Sequence, residues 1–169
     1  EMVNEDAAKK LGKPLNHDNK YWVQSVKSFA DGALGSRGAH FLEEYSDYPG
    51  FFGERRQDED RFAQTATELL NIGFNMRIHA IGDGGNRVVI NAFERALNAT
   101  GKDGKDVRFS LEHCQVLTAD DIPRLAELGI IASMQPLHAT EDMHFAEARL
   151  GSERIKYAYI WRQLLDLGV

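Results

Sequence analysis

Segments typical of strands and segments typical of helices alternate along most of this 169-residue sequence. Segments rich in β-branched and aromatic residues, which predict strands, fall at 22–30, 74–80, 107–113 and 130–135. Segments with apolar residues at helical spacing lie at 57–72, 85–100, 118–128 and 155–167. This order predicts an α/β fold with a mostly parallel sheet covered by helices. A complete barrel needs eight strands and about 250 residues, so four strands leave either a small open sheet or a section of a barrel.

The segments between these elements carry turn and capping residues. A glycine-rich stretch from Asp31 to about Gly53 should contain no regular structure. Thr118, with Asp121 three residues later, resembles a capping box at a helix start. Val169 should begin a further strand, so we expect residues 1–169 to form one partial domain of a longer protein.

The composition limits which binding partners and which cellular compartment we expect for this protein. A net charge of −6 argues against nucleic acid, because phosphate binding needs a basic surface. No apolar stretch approaches the length that spans a membrane, and the first residues do not form a signal peptide. Cys114 is the single cysteine, which is compatible with a cytoplasmic location.

Two histidines lie at the ends of two predicted strands. His79 ends one strand, and His113 ends the next, 34 residues further along the chain. Because the carboxyl ends of parallel strands meet on one face of a barrel, the two imidazoles should converge. Two converging imidazoles predict a metal site, although a single strand-end histidine is more often structural.

Lys27 and the residues around the two histidines allow alternative interpretations. Lys27 lies in the first predicted strand, either snorkelling to solvent or buried beside a metal, where it could be carboxylated. Glu112 should alternate to the face opposite His113, where it would pack or form a salt bridge on the helix side. The turn after His79 matches no phosphate-binding pattern, and Asp83 in that turn is expected to cap the following helix.

Three further residues are weaker candidates for the same cleft. His138 follows the last predicted strand closely, so it could face the two strand-end histidines. Asp31 and Arg37 in the glycine-rich stretch could bind a carboxylate or amide of a substrate, although loop residues of these types are usually solvated or paired.

Four blocks of the sequence resemble successive motifs of amidohydrolase family 3, in the same order and spacing. They are Val26-Lys27-Ser28-Phe29-Ala30-Asp31-Gly32-Ala33-Leu34-Gly35-Ser36-Arg37, His79-Ala80-Ile81-Gly82-Asp83, Leu111-Glu112-His113-Cys114-Gln115 and Ala132-Ser133-Met134-Gln135-Pro136-Leu137-His138. This family contains metal-dependent hydrolases of the amidohydrolase superfamily, among them enzymes similar to N-substituted formamide deformylase. The resemblance extends from about Val23 to Val169.

The resemblance implies a partial (β/α)8 TIM-barrel fragment, roughly strands four to seven with their helices. The intact site would hold one or two divalent metal ions, expected to be zinc. Lys27 would be the carboxylated ligand that bridges the ions, and His79 and His113 would be further metal ligands. Arg37 and His138 would line the cleft for a small amide-type substrate. The family's His-x-His pair, its aspartate of strand eight and its β-sandwich domain have no counterpart in this sequence.

These observations lead to an expected function and one alternative from another class. We expect a fragment of an amidohydrolase that cleaves amide or other C–N bonds, inactive as an isolated chain because part of its site is missing. An open section of a barrel exposes strand edges, so a homo-oligomer is expected. The alternative is a small non-enzymatic α/β binding domain with structural histidines.

Overall fold

The structure is a computed structural model that describes residues 2–169, and its centre is a five-stranded parallel sheet with the strand order β1-β4-β5-β6-β7. The strands are β1 (Met2–Val3), β2 (Leu15–His17), β3 (Tyr21–Val23), β4 (Ser25–Phe29), β5 (Asn75–Ala80), β6 (Ser110–His113) and β7 (Ile131–Ser133). Strands β2 and β3 form a separate antiparallel hairpin. From β4 to β7 each strand of the sheet lies beside the next one in the sequence, as in a section of a barrel.

Eight α-helices and one 3-10 turn are present among residues 2–169. They are α1 (Glu5–Leu11), α2 (Glu59–Asn71), α3 (Asp83–Thr100), α4 (Gly104–Val107), α5 (Ile122–Glu127), α6 (Leu137–Asp142), α7 (Ala146–Arg154), α8 (Trp161–Asp166) and the 3-10 turn Ile155–Tyr157. Helix α2 begins where Asp58 accepts a hydrogen bond from the backbone N–H of Arg61, as expected for an N-cap. None of these helices is both long and apolar enough to cross a membrane.

The main core lies between one face of the sheet and the helices. Met76, Ile78 and Ala80 alternate along β5 towards α2 and α3, and all three are buried. Phe93 of α3 stacks on Phe109 with ring centroids 4.0 Å apart. The opposite face of the sheet, which we call the open face, is only partly covered: Phe29 is 47% exposed there, whereas Ser25 and Ser110 are buried. It carries the side chains of Met2, Ser25, Lys27, Phe29, Asn75, Arg77, His79, Ser110, Glu112, Ile131 and Ser133.

A second apolar cluster lies beyond the carboxyl ends of the strands, and we call it the loop cluster. It consists of Leu34, Ala39, Phe41, Tyr45, Ile81, Val116, Ala146, Leu150 and Ala158. It joins the stretch at 31–53, which contains no helix or strand, to α7. Asp47 of this stretch forms ion pairs with Arg37 and with Arg149 of α7, so charge as well as packing connects the two segments.

The predicted α/β class and mostly parallel sheet are confirmed, and four element boundaries are wrong. The helix predicted over 118–128 begins only at Ile122, with Asp121 as its N-cap in place of Thr118. The predicted strand at 22–30 is two strands, divided at Gln24. Val107 ends α4 instead of beginning β6, and the helix predicted over 155–167 is interrupted near Tyr159, whose φ is +55°. The two-residue strand β1 and the β2–β3 hairpin were not predicted, because segments of two or three residues show no periodicity.

Candidate active site

The side chains of His79 and His113 meet at the carboxyl ends of β5 and β6. Their ring centroids are 4.6 Å apart, and the rings are edge to face. His138, in α6, lies against the other side of His113, with ring centroids 5.2 Å apart. The sheet therefore brings together three histidines that are separated by up to 59 residues along the sequence.

His79 is held from the side of the glycine-rich stretch. Its Nε2 lies 3.1 Å from the carbonyl oxygen of Gly32 and 3.4 Å from Oδ1 of Asp31. Burial lowers the pKa of His79 to about 4, helped by the nearby His113 and Lys27, although the Gly32 carbonyl acts in the opposite direction. The imidazole is therefore neutral at pH 7, as a metal ligand must be.

His113 reaches the same point through an unusual backbone turn. Its φ is +76° and that of Cys114 is +45°, so the chain leaves the regular pleat at the last residue of β6. Its Nδ1 lies 2.6 Å from Oε1 of Gln135. Burial lowers the pKa of His113, so this ring is also neutral near pH 7.

The prediction that Glu112 packs on the helix side is wrong. Glu112 is paired in register with His79 and lies on the same open face of the sheet. It accepts hydrogen bonds from the hydroxyls of Ser110 and Ser133, each at 2.8 Å. The strict alternation that placed it opposite His113 fails because the positive φ of His113 turns that side chain towards Glu112's face.

His138 belongs to a polar network that was not predicted from the sequence. Its Nδ1 lies 3.1 Å from Oε1 of Gln115, whose Nε2 donates to Asp142 at 2.7 Å and to the hydroxyl of Tyr159 at 3.1 Å. The Tyr159 hydroxyl also donates to Asp142, at 2.8 Å. Gln115 lies two residues after His113, and that adjacency was the one local signal of its role.

Lys27 lies on the open face of the sheet, in the strand next to His79. Its Nζ lies 3.6 Å from the ring centroid of Phe29 and donates to the carbonyl oxygen of Ser28 at 2.9 Å. Burial lowers the pKa of Lys27, while the carboxylate of Glu112 acts to raise it.

Asp31 lies beneath the two histidines, and its buried carboxylate has a structural role. Its side chain has no exposed surface, and its oxygens accept hydrogen bonds from three backbone N–H groups, those of His40, Ile81 and Gly82 at 2.9, 3.0 and 2.8 Å. Burial raises the pKa of Asp31 to about 7, and the three N–H donors act in the opposite direction. In this position Asp31 supports His79 and offers no surface to a substrate.

Arg37 and Asp83 both connect parts of the loops. Nη2 of Arg37 lies 2.9 Å from Oδ2 of Asp47, so its guanidinium is engaged in the loop cluster. The prediction that Asp83 caps α3 is wrong. The N-cap is Gly82, and the Asp83 carboxylate instead accepts the backbone N–H of Leu42 at 2.8 Å.

The donor set partly fits a metal ion. His79 and His113 are neutral, adjacent and each held through one ring nitrogen by an oxygen acceptor, as metal-ligating histidines usually are. A catalytic zinc usually has three protein ligands. Within residues 2–169, no group of three or more histidines, cysteines, aspartates and glutamates is arranged to hold a metal. The described residues thus fit two imidazole ligands, with Lys27 as the candidate for a third.

Comparison with known proteins connects this site to a family. The sequence profile of the amidohydrolase family matches residues 3–169. The chain belongs to the amidohydrolase family. The match begins some 20 residues before the point where the resemblance in the sequence motifs begins.

Two curated proteins are similar to this amidohydrolase chain over 86% of its length. Protein LONG AFTER FAR-RED 3 of Arabidopsis thaliana is 36% identical over 146 residues, and the match covers 25% of that protein. Putative amidohydrolase YtcJ of Bacillus subtilis (strain 168) is 33% identical over 145 residues, and the match covers 26% of it. The amidohydrolase chain therefore spans about a quarter of the length of these relatives.

Two crystal structures share the fold of the amidohydrolase chain. An uncharacterized metal-dependent hydrolase from Pyrococcus furiosus superimposes with a TM-score of 0.84 and 29% identity, over 96% of this chain and 33% of that one. An uncharacterized metal-dependent hydrolase from Pyrococcus horikoshii OT3 gives a TM-score of 0.84 and 27% identity, over 98% of this chain and 33% of that one. The predicted partial-barrel fold agrees with both superpositions.

Proposed function

We propose that this amidohydrolase chain forms part of the active site of a hydrolase that cleaves amide or other C–N bonds. The observation that carries the proposal is the meeting of His79 and His113, 4.6 Å apart at the ends of neighbouring strands. Two solved relatives are metal-dependent hydrolases, which supports a divalent metal ion as the cofactor. When bound, such an ion polarises a carbonyl group and lowers the pKa of water to about 7.

His79 and His113 are the proposed metal ligands, and Lys27 is the proposed third ligand in a carboxylated form. Zinc is the proposed metal because neutral imidazoles are among its preferred ligands, and one or two ions would be held by the complete set. Lys27 lies one strand away from His79 on the same open face of the sheet, which supports this proposed role.

A small amide-type substrate, of the kind cleaved by N-substituted formamide deformylase, is the proposed reactant. His138 is the residue best placed to contact it, because its ring is partly exposed and lies against His113. Arg37 would act on substrate indirectly, by holding the glycine-rich stretch through Asp47. Asp31 would act through His79.

Metal analysis of the purified chain tests this function. Zinc should be present in the wild-type chain and absent from the double variant His79→Ala with His113→Ala. His17→Ala is the matched control, because the His17 side chain is 81% exposed in the β2–β3 hairpin and should leave the zinc content unchanged. Zinc retained by the double variant would contradict the proposed ligands.

The non-enzymatic alternative rests on the hydrogen bonds of the same histidines. His79, His113 and His138 each have an oxygen partner within the chain, so all three could be structural residues of a binding domain. A chain that folds normally and takes up no zinc would favour this alternative.

We also propose that the chain is inactive in isolation, since its described residues supply two imidazoles and one lysine. An N-substituted formamide should not be hydrolysed above the background rate in the presence of zinc. Turnover that requires metal and is lost in His79→Ala would show that the isolated chain is active.

A homo-oligomer and a cytoplasmic location are further proposals. Strands β1 and β7 have no neighbour on their outer sides among residues 2–169, and Phe29 on the open face is 47% exposed. Light scattering coupled to gel filtration should give a multiple of 19.0 kDa, and a monomeric mass would refute association.

The proposed cytoplasmic location is compatible with the single cysteine, Cys114, which is fully buried and unpaired.

A further inference from the structure

The amide of Gln135 determines which nitrogen of His113 carries the proton. Oε1 of Gln135 lies 2.6 Å from Nδ1 of His113. The orientation of this amide follows from its other end, where Nε2 donates to the carbonyl oxygen of Ser133 at 3.3 Å. Because an amide oxygen can only accept, Nδ1 of His113 must be the protonated nitrogen, and its Nε2 is left with a lone pair.

The neighbouring ring of His79 is held in the opposite tautomer. Its Nε2 lies 3.1 Å from the carbonyl oxygen of Gly32, which can only accept a hydrogen bond. Nε2 therefore carries the proton, and the lone pair is on Nδ1. Two imidazoles whose centroids are 4.6 Å apart thus expose different nitrogens.

We propose that Gln135 is a positioning residue that fixes His113 in its Nδ1–H tautomer and so keeps Nε2 available to a metal ion. The metal-binding part of this inference rests on the proposed function, whereas the tautomer belongs to the metal-free chain. A ligand nitrogen must be unprotonated, and the hydrogen bond at the other ring nitrogen decides which one that is. Without Gln135, neither nitrogen of His113 would be held, and both tautomers would be populated.

Long-range ¹H–¹⁵N NMR of the imidazole rings tests the tautomer directly in the metal-free chain at neutral pH. Nδ1 of His113 should carry a proton in the wild type and in Gln135→Glu, which keeps an oxygen acceptor at the same place. Gln135→Met removes the acceptor and should give a mixture of tautomers at His113. Gln115→Met is the matched control, because Gln115 faces His138 at 3.1 Å and its loss should change His138 alone.

A zinc titration of the same four proteins separates this inference from the proposed function. Gln135→Met should raise the Kd for zinc by about 10- to 100-fold, and Gln135→Glu should bring the Kd back to the wild-type value. The inference is overturned if wild-type His113 shows Nε2–H, or if Gln135→Met leaves its pattern unchanged. If the tautomers are as expected and the wild type binds no zinc, the proposed function fails and the assignment to Gln135 stands.

Discussion

Replacing Asp31 with alanine should destabilise the chain by removing the acceptor beneath the candidate site. The backbone N–H groups of His40, Ile81 and Gly82 all donate to this carboxylate, at distances of 2.8–3.0 Å. The side chain of Asp31 has no exposed surface, so water does not readily replace it. Each unsatisfied buried N–H costs about 1–3 kcal/mol. Three of them should lower the free energy of unfolding by at least about 3 kcal/mol, out of a typical total of about 5–15 kcal/mol.

Urea unfolding followed by far-UV circular dichroism measures this loss. With an m-value of about 2 kcal/mol/M, a loss of about 3 kcal/mol moves the midpoint down by about 1.5 M. Asp60→Ala is the matched control, because the Asp60 side chain is 87% exposed and pairs only at the surface with Arg95. That control should cost about 0–1 kcal/mol. A loss for Asp31→Ala no larger than for the control would refute the reasoning.

Three further predictions concern the same region. Burial raises the folded-state pKa of Asp31 from 3.8 to about 7, so the stabilisation from this group should be largest below about pH 4 and decline towards pH 7. The difference in unfolding free energy between wild type and Asp31→Ala should therefore become smaller as the pH rises from about 4 to about 7. A difference that does not change with pH would contradict this prediction. Gly85→Ala should lower the Tm, because a Cβ there lies 2.6 Å from Oδ2 of Asp31, whereas helix propensity alone predicts a rise. Asp47→Ala should speed amide hydrogen exchange in residues 33–53, since Arg37 and Arg149 lose their shared acceptor; unchanged exchange there would show that the ion pairs do not hold the loop.

The positions of His79 and His113 at neighbouring strand ends could be predicted from the sequence. Two features within 79–113 indicate that each histidine ends a strand. They are the spacing of one strand–helix–strand unit and the apolar stripe of α3. The face that Glu112 occupies could not be predicted, because the positive φ values of His113 and Cys114 have no sequence signature such as glycine.

The partners of the histidines were also beyond prediction from the sequence. Gln135 lies 22 residues after His113, and Asp142 lies 27 residues after Gln115. Such pairs form only when separate loops meet above the sheet, and no periodicity records that meeting. For the same reason the sequence could not show that the Asp31 carboxylate accepts hydrogen bonds from the backbone N–H groups of His40, Ile81 and Gly82.

The loop cluster has a consequence for kinetics. The ion pair between Asp47 and Arg149 closes a span of 102 residues, so its formation carries the entropy cost of a long loop. A region that has a small core of its own and depends on such contacts can open without global unfolding. The rim above the histidines should therefore open and close as one cooperative unit, at a rate set by its own small core and independent of the rate at which the sheet unfolds.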